Sequence, residues 1–233
     1  MKNRKRNGKV TPAELLKQIN MLQKELFAAD VQYDLQVGLR KAVSDYEKAF
    51  RLSPLFWNYT LDAHFGMVVL RLCRIYDADE NTMSLPRFLK TLELNGDLFN
   101  ESAFRERNHD SPNLERLAAY PRSLDLKQLA EDKKHCSPTN SNVKHLFIWR
   151  NNILAHLNYK AAIDNPVQFN KRYPLYFRDI NILINDGFLI VNKYAETFGA
   201  AVFPRSNSTN YPVNDYQIIL DLCRTHVQAN WGG

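Results

Sequence analysis

Arg150, Asn151 and His156 lie within seven consecutive residues of the stretch Val143 to Lys160, VKHLFIWRNNILAHLNYK. Their types suit work on a phosphodiester. Arginine stays charged at any physiological pH and presents a forked set of N–H donors that matches phosphate oxygens. Histidine titrates near neutrality and can take up or give a proton. Asparagine can hydrogen-bond a phosphate or hold an imidazole in one tautomer. RNA carries its own nucleophile, the 2′-hydroxyl. Its cleavage therefore needs a proton acceptor, a proton donor and a cation against the charge developing on phosphorus. On an ideal helix, Arg150 and His156 are separated by ~120° and by roughly 9 Å of rise. They are too far apart to touch, yet close enough for both to reach one phosphodiester. The chemistry leaves no role for a metal, and the sequence shows no obvious carboxylate cluster for a two-metal site.

A helix must position this group. At ~100° per residue, Val143, Leu146, Phe147, Ile153, Leu154, Leu157 and Ala161 share one broad face, the mark of a helix packed on a core. Arg150 falls in the middle of that face. An unpaired buried charge costs several kcal/mol, so the stripe needs a carboxylate for Arg150, or it faces a cleft or a second subunit. His145, Trp149, Asn152 and His156 follow a second stripe. Upstream, FGMVVLRL at 65–72 is apolar nearly all round and is expected near the centre of the core. His64 and Arg71 flank it, and they fit either a hydrogen-bonded structural role or support behind the site. Asp77, just past the end of that helix, is a candidate for orienting Arg71, Arg74 or Arg150, and the sequence does not choose among them. Asn152 and His145 are further candidates for support or substrate contact.

The string Arg150-Asn151-Asn152-Ile153-Leu154-Ala155-His156 is similar to the signature of the HEPN superfamily: an Arg followed by a polar residue and, after four to six intervening residues, a His. The segment Arg71 to Leu92, RLCRIYDADENTMSLPRFLKTL, resembles the "RIYD…SL…L" region of the phage abortive-infection branch of that superfamily. The resemblance runs from about residue 50 to about residue 200. It implies an all-helical bundle that dimerises through the motif helix. In catalytic members it implies metal-independent, cofactor-free cleavage of RNA, here by Arg150, His156 and Asn151 at a dimer cleft, in a toxin or anti-phage effector. Relatives without activity open a second reading, a helical module that binds nucleic acid, a nucleotide or a partner protein. A third is an antitoxin or regulatory subunit of a defence complex, its apolar motif face docked on another chain.

The 233 residues, 45% of them apolar and 24% charged, are ample for one soluble domain with a real core, and only eight glycines disfavour a turn-rich β fold. A net charge of +6 is compatible with a polyanion partner and does not establish one. Cys73, Cys136 and Cys223 form no C-x-x-C pair, so reduced thiols and a cytoplasmic location are expected. No apolar run is long enough for a membrane span, and MKNRKRNGKV lacks the apolar run of a secretory signal.

Organisation is read as a basic arm at 1–10, a helical extension at 11–50, a HEPN-like domain at 51–202, and a linker with a C-terminal helix at 203–233. Thr11-Pro12-Ala13-Glu14 starts one long or two broken helices, expected at the surface. Ser53-Pro54 and Ser84-Leu85-Pro86 open two more. Residues 100–122, with Arg105, Arg107, Arg116 and Arg122, suggest a mobile connection with weak helix, or a substrate-gripping loop. Asn185-Asp186-Gly187 is a hairpin signal between NILI and FLIV. Nothing nearby would pair with a lone hairpin, which favours a long helix over 175–198, or two helices kinked at Gly187. The last helix, from Val213 to Ala229, is expected to turn Ile218, Ile219, Leu222 and Val227 inward.

Overall fold

A computed structural model describes residues 8–120, 122–154, 169, 171–206 and 215–231. Among these residues all regular structure is helical, and the protein is an all-α bundle. In chain order the α-helices are α1 (Pro12–Ala42), α2 (Glu47–Leu52), α3 (Pro54–Ile75), α4 (Leu85–Leu94), α5 (Glu101–Arg107), α6 (Leu114–Ala118), α7 (Leu126–His135), α8 (Ser141–Trp149), α9 (Phe177–Phe198) and α10 (Asp215–Trp231). A π-helical segment, Arg150–Leu154, continues α8.

The spine is α1, a single helix about 46 Å long at ~1.5 Å per residue. Its start follows the capping logic of its sequence: the Glu14 amide donates to Thr11 Oγ1 at 3.2 Å and the Thr11 amide to the Glu14 carboxylate at 2.8 Å. The expected surface position is corrected. Leu15, Ile19, Leu22, Leu26 and Ala29 are buried between α3 and α9. Polar residues obscure this in the sequence, because Gln23, Asp30 and Gln36 are buried as well. An enclosed helix has several contact faces, and this one fills some of them with hydrogen-bonded polar groups in place of a single apolar stripe.

Helix α9 runs unbroken through Asn185-Asp186-Gly187, so the hairpin alternative falls. Gly187 sits where α9 meets α1: a Cβ there would come within 2.5 Å of Leu26 Cδ2. The glycine that looked like a turn is a point of close helix approach. The C-terminus of α9 ends on Gly199 at φ +90°, a left-handed cap. Two arginines from the stretch expected to be mobile reinforce it. Arg122 donates to the Glu196 carbonyl at 2.5 Å and Arg107 to the Phe198 carbonyl at 3.0 Å, while their guanidinium groups lie over the rings of Phe104 and Phe198. Cations at a helix C-terminus are favoured by its dipole.

Beyond Gly199 the chain is strapped onto α1. Gln23 Nε2 donates to the Ala201 carbonyl at 2.8 Å, and Asn192 bonds both the amide and the carbonyl of Phe203. The fully buried Asp30 accepts from Arg205 Nη2 at 2.6 Å, from the Ser206 amide at 2.7 Å and from the Ser206 hydroxyl at 2.8 Å. The first residues of the expected linker at 203–214 are therefore anchored, and 207–214 lie outside the described residues.

A second, smaller core joins the far end of α1 to α2, α3 and α10 through Leu39, Ala42, Phe50, Trp57, Leu61 and Leu220. Here a further expectation is corrected. Val227 is buried, but Ile218, Ile219 and Leu222 are more than half exposed. Helix α10 seats instead through Leu220 and Tyr216, whose ring lies against Gly38, and Tyr46 fastens it by donating to Asp221 at 2.8 Å.

Gly187→Val is expected to destabilise the fold by about 1–3 kcal/mol, the usual range for overpacking a close-packed contact. Urea unfolding would show it as a lower midpoint at unchanged slope.

Candidate functional site

Helix α8 begins at Asn140, whose side chain accepts from the Asn142 amide at 3.0 Å, and it buries Val143 and Leu146 completely. At Arg150 the turn widens from α to π. A π turn holds an extra residue, so side chains beyond it are rotated from where a 3.6-residue count puts them. Ile153, assigned to the buried face by that count, is accordingly 42% exposed. Where the helical ladder changes, the Asn152 side chain donates to the Ile148 carbonyl at 2.7 Å. This side-chain bond satisfies a backbone acceptor at the transition.

Arg150 leaves the apolar stripe at this point and lies across its edge. Its Nη1 is 3.8 Å from Asp77 Oδ2, its Nε donates to Asn151 Oδ1 at 2.9 Å, and its guanidinium carbon is 4.8 Å from the centre of the Phe147 ring. About a third of the side chain (31%) remains accessible. Phe147 and Arg150 are three apart, the spacing at which helix side chains meet, and that spacing is the sequence signal for this contact. Cys73 of α3 lies close by, its thiol directed at the Leu146 carbonyl. Burial pushes that thiol up to about 12, with the Arg150 charge pulling the other way, so Cys73 is protonated at physiological pH and is no nucleophile.

Of the three arginines that could take Asp77, the structure selects Arg150. Arg71 and Arg74 both turn to Glu25 of α1, at 2.9 and 2.5 Å. His64 also faces α1: its Nδ1 is 2.6 Å from Gln32 Oε1. Both residues fit the structural side of the sequence reading, since each ties α3 to α1. His145 lies edge-on to Tyr173, with ring centres 6.4 Å apart. Trp149, on the same stripe, donates to the Tyr173 carbonyl at 2.7 Å and packs edge-on against Phe65 and Phe169. Asp77, Arg150, Asn151 and Phe147 thus form one group, with Asn152 beside it at the π segment. His156 lies outside the described residues. Among the described residues no three His, Cys, Asp or Glu side chains are grouped so that they could hold a metal ion, and no helix is long and apolar enough to cross a membrane.

Comparison with known families gives a match. The model of the HEPN family AbiU2 matches residues 12–219, taking in α1 and the start of α10 as well as the stretch that carries the resemblance by eye. No curated protein and no solved structure matches the chain.

Asp77→Ala removes a long, partly exposed ion pair, so its cost to global stability is expected to stay within about 1 kcal/mol; chemical denaturation checks this. Burial lowers the His64 pKa from its ordinary 6.5. The unfolded chain therefore takes up a proton at a pH where the folded chain does not. The resulting stability is complete above that ordinary value and is lost as pH falls below it. His64→Gln is expected to shrink the drop in Tm between neutral and mildly acidic buffer, measured by thermal denaturation of both proteins.

Proposed function

The chain belongs to the HEPN family AbiU2, and on that premise we propose that it is a metal-independent endoribonuclease acting as an abortive-infection effector or toxin. The observation that carries the reading is the placement of Arg150. It is held by Asp77 and Asn151, backed by the Phe147 ring, and about a third open to solvent on the helix where the motif begins. A guanidinium so placed is oriented in advance and keeps N–H donors for a phosphate.

The proposed reaction uses the nucleophile of RNA itself. The 2′-oxygen loses its proton to a histidine, its bond to phosphorus forms, and the bond from phosphorus to the 5′-oxygen breaks. A second proton donor protonates that leaving oxygen. Arg150 bears against the charge on the phosphorane, and His156 supplies proton transfer. Two copies meeting at a dimer cleft would provide acid and base together. The products are a 2′,3′-cyclic phosphate and a 5′-hydroxyl. Asn151 either steadies Arg150, to which it is already bonded, or contacts the phosphate.

A second reading, a HEPN module that binds nucleic acid, a nucleotide or a defence-complex partner without cleaving, is favoured by one observation. The contacts around Arg150 would equally hold an arginine whose role is structural.

The test is cleavage of total RNA and a labelled tRNA by purified protein in EDTA. Wild type is expected to cut and leave cyclic-phosphate ends. Arg150→Ala and His156→Ala are expected to lose at least about 100-fold in rate, the usual scale for losing one such group, with circular dichroism unchanged. Full activity in either variant overturns the assignment, and binding without turnover by the wild type supports the second reading.

A further inference from the structure

Beside Arg150 the fold fixes a group of planar and cationic side chains and leaves it open. Trp149, the residue before Arg150, donates from its indole to the Tyr173 carbonyl at 2.7 Å and so pins the chain at Tyr173 to the motif helix. The half-buried Tyr173 ring meets His145 edge-on, with ring centres 6.4 Å apart, and leans on the buried Phe169 at 5.4 Å. The Arg172 guanidinium stands 5.7 Å from the centre of that ring. This is a loose cover, since Arg107 and Arg122 lie 4.1 and 3.9 Å from the rings beneath them.

Arg172 is exposed and, among the described residues, pairs with no carboxylate. The same holds for its chain neighbour Lys171 and for Lys144, the neighbour of His145. Elsewhere the bundle ties Arg71, Arg74, Arg105 and Arg205 to acids of its own. Open cations next to an aromatic pair call for an anion from outside, and one that also carries a flat face.

On the ribonuclease reading, which supplies the ligand, we propose that this surface seats the RNA strand next to the scissile phosphate. A base stacks on the Tyr173 ring with His145 at its side, and Arg172 meets the phosphate of that nucleotide. Every base has a π face, so an aromatic ring beside a guanidinium grips a single strand whatever its sequence. A duplex is not gripped this way, because its bases are already stacked on one another. An acidic protein surface would satisfy the cations and leave the aromatic pair without a role. Position agrees with the chemistry. His145 and Arg150 are five residues apart along α8 and its π turn, roughly 7.5 Å of helical rise, so neighbouring nucleotides of one strand can lie on both.

The test is equilibrium binding of the full chain to a fluorescein-labelled, 2′-O-methylated RNA oligonucleotide, which lacks the hydroxyl needed for cleavage. Fluorescence anisotropy over a range of salt gives affinity and slope. Wild type is expected to bind the single strand more tightly than the same sequence as a duplex. Tyr173→Leu keeps an apolar side chain against Phe169 and the carbonyl that Trp149 uses. It is expected to weaken binding about tenfold, with circular dichroism unchanged. Arg172→Ala is expected to lower the slope of log K against log salt by about 0.7, the value of one phosphate contact on a single strand. Lys24→Ala, at an exposed lysine of α1, is the control and is expected to change neither quantity. Unaltered affinity and slope in both site variants, or an equal loss in the control, overturns the proposal. So does a wild type that binds no RNA, which would leave the cations to an acidic partner protein. Turnover plays no part in the measurement. A chain that binds through Tyr173 and never cuts sinks the nuclease reading alone, and one that cuts with unaltered binding in both variants sinks this proposal alone.

Discussion

A carboxylate withdrawn from water must meet a cation or a set of N–H and O–H donors, and this constraint pins the long-range junctions of the bundle. Glu25 of α1 takes Arg71 and Arg74 of α3. Asp30, further along α1, collects Arg205 and Ser206 and so fixes the chain leaving α9. Asp132 of α7 receives Lys193 at 2.8 Å and the Tyr194 hydroxyl at 2.6 Å, both from α9. Apolar contact alone would let helices slide in register. These ties fix which residue of one helix faces which residue of the next.

The same constraint decides the site. With Arg71 and Arg74 engaged by Glu25, Asp77 is left to Arg150, and the end of α3 becomes bound to the motif helix. The π segment makes the pairing compatible with the core. On a continued α-helix Arg150 would stand in the middle of an apolar stripe. The wider turn begins at Arg150 itself, so the stripe ends there and the guanidinium can lie partly exposed across Phe147. π segments are uncommon and are often found at functional sites. Here the irregularity has an evident electrostatic reason.

Local rules carried much of the fold in the sequence. The Thr11 box, Ser84 as a cap that accepts from the Arg87 amide, and Pro54 at the first turn of α3 lie where capping logic puts them. What failed were inferences that depend on a neighbour. α1 was misplaced because its buried Asp30 and Gln23 count as surface in any periodicity argument, and their partners lie 176 and 178 residues away. Gly187 carried two meanings, turn or close approach, and only the position of Leu26 separates them. α10 had a readable apolar face, but its own core took Val227 from it together with Leu220 and left Ile218, Ile219 and Leu222 outside. At the site, Asp77 was legible as a partner for an arginine and ambiguous among three. The resolving fact, Glu25, sits on a helix whose place in the core was itself illegible. No residue-spacing rule anticipates the π segment, and hence the outward turn of Ile153.

A net charge of +6 says little about RNA once the cations are followed to their partners. Arg205, Lys193, Arg71 and Arg74 sit 2.5–2.9 Å from carboxylates that they serve structurally. Arg105 spans Glu101 and Glu115 at similar distances, and Arg107 and Arg122 cap a helix end. Each of these guanidinium groups spends at least one donor on a short bond within the fold. Arg150 differs in the quality of its pair. At 3.8 Å from Asp77 it is oriented by charge without a short hydrogen bond to the carboxylate, and like Arg74 and Arg105 it keeps a solvent-facing edge. A phosphate approaching that edge would add to the contacts of Arg150 without first breaking a short ion pair. Arg178 has a pair of similar length, 3.7 Å to Asp179, so what marks Arg150 is its long pair together with the Asn151 bond, the Phe147 ring and its place at the start of the motif.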